Sequence, residues 1–232
     1  MRLGLLTIPL LALGTVAQAQ AYQCQLPKNA LPVAKIVPDG PARRTPIAAY
    51  TLALTWSPEH CRFATAADSF QCSGKNGRFG LVLHGLWPEG KGRNWPQWCP
   101  SSRRLSPDLV RRNMCLTPSA PLIAHEWAKH GACMAKTPEG YFKAARILFA
   151  SLRLPDLDRL SRRKPLNAGM IREAISAAFP VFKPEMVGIN LSERGWLEEI
   201  RLCYDTDFHP ARCTAGQYGP KDAASAKIWR GL

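Results

Sequence analysis

Polar and apolar residues alternate from Tyr50 to Trp56 (Tyr-Thr-Leu-Ala-Leu-Thr-Trp), and Pro58 closes the run. Period-two alternation reads as a strand with one face on a core. A second run, Arg78 to His84, reads the same way and is expected to stop at Gly85 and Pro88. A third strand is expected from Glu198 to Tyr204. Between these lie helical stretches with readable starts. Ser106-Pro107-Asp108 supplies a cap, a first-turn proline and an acidic first turn for a helix to about Met114. Pro121 to His130 reads as a helix ended by Gly131 at the C′ position. Thr137-Pro138-Glu139 opens a longer helix through about Leu152, and Asn167 caps another that reaches about Phe179. Residues 23 to about 45 are proline-rich without periodicity and read as an irregular arm. Asp68 to Gly77 reads as a turn, and Gly90 to Arg104 as a loop.

This pattern predicts one α+β domain, with a central, mainly antiparallel sheet flanked by helices. The strands are too few and too dispersed for regular βαβ winding. The chain has 232 residues, and 46 % are hydrophobic, enough for a packed core. The first 21 residues read as an export signal: Arg2, an apolar stretch from Leu3 to Ala17, then small residues that fit a cut after Ala19 or Ala21. That stretch of about 15 residues is short of the roughly 20 needed to span a bilayer. The expected body is residues 22–232, free of the membrane after signal removal and exported to a periplasm or the medium.

Charge narrows the partners. There are 31 Lys and Arg against 17 Asp and Glu, a formal +14, and losing Arg2 with the signal leaves +13. Such a body is biased towards polyanions. The eight cysteines suit an oxidising compartment and a disulfide framework. Cys61 with Cys72, and Cys203 with Cys213, would each close a short loop. Spacing leaves Cys24, Cys99, Cys115 and Cys133 open. Trp95, Trp98 and Phe79 read as packing residues, and Arg159, Arg162, Arg163 and Lys164 as a solvated basic face. His60 and His209 read as loop residues. Asn190-Leu-Ser192 is a glycosylation sequon that matters only in a glycosylating host.

Two segments carry candidate chemistry. The first is Leu83-His84-Gly85-Leu86-Trp87-Pro88, and the second is His125-Glu-Trp-Ala-Lys-His130-Gly-Ala-Cys133. Together they hold three of the five histidines. At about 100° per residue, with His125 at 0°, Lys129 falls near 40°, Glu126 near 100° and His130 near 140°. Four ionisable groups therefore share one broad helix face. The zinc-protease pattern H-E-x-x-H needs its second His at i+4. Here Lys129 holds that place, and its ammonium would repel a dication, so no metal or other cofactor is expected. Two or three imidazoles, a carboxylate and an ammonium suit metal-free RNA cleavage instead. There the 2′-hydroxyl attacks the adjacent phosphorus while one imidazole removes a proton and another supplies one. The cations would stabilise charge on the phosphate oxygens.

The two segments together resemble the active-site segments of the ribonuclease T2 family. Weaker similarity extends through Tyr50–Trp56, the helix at Asn167–Phe179 and the strand at Glu199–Tyr204, but not the proline-rich arm. The resemblance implies a secreted, metal-independent endoribonuclease of α+β fold, with RNA as partner and no obligate protein partner. It implies that His130 is the general base and His84 the general acid, exchanging roles when the cyclic phosphate is hydrolysed. Glu126 and Lys129 would stabilise the phosphorane or position its neighbours, and His125 would contact phosphate. Trp87 would stack on the base 5′ of the cut. Glu89 stands where relatives with a defined base pocket carry Asp; the swap keeps the acceptor but adds a methylene, and Glu89 joins Trp87 as a candidate substrate-binding residue, with low base specificity expected. The resemblance also implies Cys99 paired with Cys133, which leaves Cys24 to Cys115.

Overall fold

The computed structural model describes residues 23–92 and 94–231. The expected signal segment, residues 1–21, lies outside them. Four strands form the sheet: β1 (Ala49–Trp56), β2 (Leu81–Glu89), β3 (Val187–Leu191) and β4 (Leu197–Tyr204). Their order is β2-β1-β4-β3, and every pairing is antiparallel. The helices are α1 (Ser57–His60), α2 (Ser69–Cys72), α3 (Pro107–Asn113), α4 (Ala120–Glu126), α5 (Ala132–Met134), α6 (Pro138–Ser151), α7 (Leu157–Leu160), α8 (Ala168–Ala178) and α9 (Ala215–Tyr218). Helices α4 and α6 pack on β2, and α8 and α9 on β3. The α+β architecture is the expected one.

The caps form where their residue types suggest. The Ser106 hydroxyl accepts from Leu109 N–H, Thr137 from Gly140 N–H, and Asn167 Oδ1 from Met170 N–H. All four disulfides match the expectation: Cys24–Cys115, Cys61–Cys72, Cys99–Cys133 and Cys203–Cys213.

Several expectations are corrected. β2 does not stop at Gly85 but runs on to Glu89, with Pro88 opposite Tyr50. It is an edge strand, where proline is tolerated. β3 was not expected, because its five residues include Gly188. A Cβ there would meet the Gln217 carbonyl oxygen at 2.0 Å, so the glycine admits α9 against the sheet. Residues 68–77, expected as a turn, include α2, and His60 is the last residue of α1 rather than a loop residue. Gly131 is no C′ residue. Its φ is −61°, and the chain stays helical through Met134. It is small for a packing reason, since a Cβ would lie 2.7 Å from Trp127 and 2.8 Å from Tyr141.

Arg172 pins the C-terminal segment to this frame. Its side chain is fully buried. It donates to Val187 O at 3.0 Å, Tyr218 O at 2.7 Å, Pro220 O at 2.9 Å and Asp222 Oδ1 at 2.6 Å. The Tyr218 ring lies 3.6 Å from the guanidinium carbon. The three backbone carbonyls would lose the Arg172 donor in Arg172→Met, while Asp222 Oδ1 would keep only the Tyr218 hydroxyl. We therefore predict that this variant unfolds about 3–5 kcal/mol more easily in urea; a loss under about 1 kcal/mol would contradict the assigned network.

Candidate active site

His84 occupies a β-bulge. Ala53 pairs with Gly85 and Leu54 with Leu83, so His84 is the extra residue, without a partner on β1. A bulge locally re-aims a side chain, and bulges recur beside active sites. On the outer edge of the bulge, Leu83 N–H donates to Leu116 O, and the Thr117 hydroxyl donates to Leu83 O.

The second segment winds unusually. Residues Trp127–Gly131 form a π turn between α4 and α5. Its i→i+5 pattern makes His125 and His130 neighbours one turn apart, with ring centroids 6.4 Å apart. The α-helical wheel had placed them about 140° apart. The loop docks on this turn: Trp98 N–H donates to Lys129 O at 2.8 Å.

Glu126 is the centre of the cluster and only 2 % exposed. The Trp87 indole donates to its Oε2 at 2.8 Å, and the Tyr141 hydroxyl lies 3.5 Å from the same oxygen. Tyr141 in turn accepts from Leu86 N–H. His84 Nε2 stands 3.6 Å from Oε1. Gly85 makes this approach possible, since a Cβ there would lie 1.8 Å from Glu126 Oε2. Burial pushes the Glu126 carboxyl up to about 7, against the pull of His84 and the Trp87 hydrogen bond.

The two imidazoles are biased in opposite directions. Burial disfavours the charged form of His84, but the hydrogen bond to Glu199 and the charges of Glu126 and Glu199 outweigh it, so its pKa is raised. Burial and the neighbouring Lys129, His125 and His84 push His130 down to about 3. Its Nδ1 is buried without a hydrogen-bond partner. The Trp87 ring separates them, 5.1 Å from His84 and 5.6 Å from His130. Arg201 lies 5.6 Å from the same ring. His125 is half-buried edge-on to Trp98, and burial, then Lys129, lowers its pKa.

The structure thus brings His84, Glu126, His130, Lys129, His125 and Trp87 together. Glu89 does not join them. Its carboxylate accepts from the Thr51 hydroxyl at 2.7 Å at the far end of β2. Trp98 packs as expected, its indole donating to Asp39.

Two residues of the cluster were missed. Asp39, in the arm, lies 2.7 Å from Lys129 Nζ. That hydrogen bond is the main cause of its lowered pKa. Its only sequence signal is that it is the one acid among the arm's basic residues. Glu199, on β4, contacts His84 Nδ1 at 2.9 Å. Its signal is Arg201 two residues on, which shares its strand face.

Ligand atoms of His125, Glu126 and His130 all lie within 4.8 Å of one another. The π turn gathers what an α-helix would spread, so residue spacing does not exclude a metal here. Burial, then Lys129, lowers the pKa of both histidines, and Glu126 also serves Trp87 and His84. Asp205, Asp207 and His209 form another potential ligand group on an exposed turn. A hollow of about 840 Å³ beside Trp56, Arg62 and Trp229 has none of the clustered residues in its lining.

A model of the ribonuclease T2 family matches residues 47–213. The chain belongs to that family. A "probable ribonuclease" of Haemophilus influenzae is 27 % identical over 187 residues, covering 75 % of this chain and 64 % of its own length. A ribonuclease of Aeromonas hydrophila is 39 % identical over 123 residues, 51 % of this chain and 54 % of its own. The chain thus spans between about half and two thirds of these relatives. An RNase-related protein from Calystegia sepium has a similar fold, with a TM-score of 0.63 at 21 % identity over 78 % of this chain and 97 % of that one. So does RNase NT, solved with 5′-AMP, with a TM-score of 0.61 at 22 % identity over 79 % and 98 %.

The buried His130 makes folding pH-dependent. Its pKa is about 3 in the folded chain against 6.5 for the free side chain. Below 6.5 the unfolded state binds the proton and the folded state does not, so this group removes stability as pH falls. The loss approaches about 1.4 kcal/mol per pH unit. Urea unfolding of wild type and His130→Gln at pH 7 and pH 4 should show the wild type losing roughly 2–3 kcal/mol more. Equal losses would contradict a neutral, buried His130.

Proposed function

We propose that this protein is an endoribonuclease that cleaves single-stranded RNA without a metal and with low base specificity. The observation that carries the reading is the opposite bias of two imidazoles on either side of one buried carboxylate. His130 is kept neutral, with a lone pair to accept a proton, while the charged form of His84 is favoured, which makes it the group to donate one; environments that split two such groups assign the acid and the base. His130, kept neutral, takes the proton of the 2′-hydroxyl. The 2′-oxygen bonds to phosphorus, the bond from phosphorus to the 5′-oxygen breaks, and His84 protonates that oxygen. The product is a 2′,3′-cyclic phosphate. In the second step His84 takes a proton from water, the water oxygen bonds to phosphorus, and His130 protonates the departing 2′-oxygen. A 3′-phosphate results.

Glu126 and Lys129 stabilise the crowded phosphorane, and His125 contacts the phosphate. Trp87 holds Glu126 through its N–H besides offering a ring for the base 5′ of the cut. Glu89, engaged by Thr51, is not committed to a base pocket, in keeping with weak base selection. The four disulfides support export to a periplasm or the medium. No helix among the described residues is long and apolar enough to cross a membrane.

The test is digestion of RNA in EDTA with identification of the ends. Cyclic phosphate and 3′-phosphate ends are expected. Cleavage lost in EDTA would revive the metal reading, and binding without cleavage would make this an inactive relative. His84→Ala and His130→Ala should each lower kcat by about 10²–10⁴, whereas His125→Ala should mainly raise KM. Near-wild-type turnover in either of the first two overturns the assignment.

A further inference from the structure

The histidine assigned as general acid has a partner that neither motif contains. Glu199 lies on β4, across β1 from the bulge, and Oε1 is 2.9 Å from His84 Nδ1. Its side chain is 8 % exposed, and Oε2 accepts from Arg201 Nε at 2.6 Å. Thr55 stands opposite Glu199 in the β1–β4 register and places its hydroxyl 3.2 Å from the same His84 nitrogen. A buried carboxylate must be paired, and here His84 and Arg201 take one oxygen each. This fixes the ring: Nδ1 carries a hydrogen towards β4, and Nε2 faces Glu126 and the site.

We propose that Glu199 is the positioning residue of the general acid, its carboxylate accepting the Nδ1 hydrogen of His84 and holding Nε2 towards the leaving 5′-oxygen. The proposal rests on the ribonuclease reading given above. A ring nitrogen's partner sets which nitrogen is protonated and how readily the other gives up its proton. His84 is faced by Glu199 and Arg201 from β4, by Glu126 and His125 from α4, by His130 from the π turn and by the Thr55 hydroxyl from β1. Among these, Glu199 is the anion in direct contact with Nδ1, and Arg201 is the cation that competes for it. Burial alone would raise the Glu199 carboxyl; His84 and Arg201 together bring it below its ordinary value.

The sign of this coupling can be tested in both directions. Glu199→Gln keeps the shape and removes the charge, so His84 holds its proton less firmly. Dinucleotide cleavage, which needs protonated His84, should lose its alkaline limb at lower pH by roughly one unit. Hydrolysis of the cyclic phosphate, which needs unprotonated His84, should shift its acid limb the same way. At pH 7, kcat for cleavage should fall on the order of tenfold, while KM stays within about twofold. Arg201→Gln removes the competing cation and should move both limbs to higher pH. An NMR titration of the His84 imidazole in wild type and both variants reads the same shifts without turnover. A chain that cleaves no RNA would therefore sink the ribonuclease reading and still test Glu199. A merely structural role would lower activity or Tm and leave the limbs in place. Should Glu199→Gln not fold, the upward shift in Arg201→Gln decides alone. Unmoved limbs and an unmoved His84 titration, or a shift of the same sign in both variants, overturn the proposal.

Discussion

A carboxylate almost out of water has to be held by donors, and the site is built around that requirement at Glu126. Trp87 of β2 and Tyr141 of α6 both address its Oε2, and His84 faces the other oxygen. Each donor constrains something further. Tyr141 packs where Gly131 leaves room and accepts from Leu86, locking α6 to β2. Gly85 has no Cβ because the carboxylate occupies that space. The bulge that frees His84 from the ladder directly precedes this glycine. Sheet edge, π turn and helix α6 thus meet on one buried group, whose carboxyl is pushed up to about 7.

The same dryness separates the histidines. Burial works against the charged form of both. His84 has anions on two sides and overcomes it; His130 has Lys129 and two imidazoles nearby and does not. One physical cause, met by different neighbours, yields two opposite biases. The net charge of +14 contributes little to this division, which depends on a few short distances. Under the proposed function its part is a sequence-independent pull on a phosphate backbone.

Much of this was legible in the chain. Ser106, Thr137 and Asn167 announced their helices because a cap is a local transaction between a side chain and an N–H three residues on. The two motifs announced six of the clustered residues, because their chemistry lies in neighbouring positions. What was not legible depends on distance or on local winding. Glu199 and Asp39 reach the site from strands and loops remote in sequence. β3 has too few residues, and a glycine, to show alternation. The π turn is invisible to a wheel drawn at a fixed angle, so the wheel misplaced His130 relative to His125. Gly131 looked like a helix stop because glycine so often is one; here an aromatic contact requires it.

The central claim is that the fold favours the charged form of His84 and keeps His130 neutral. An NMR titration of the wild-type imidazoles, assigned through single His variants, tests it directly. The account predicts that His84 titrates above the ordinary histidine value and that His130 stays neutral to well below pH 5, near its value of about 3. Two histidines titrating together near 6.5 would contradict it.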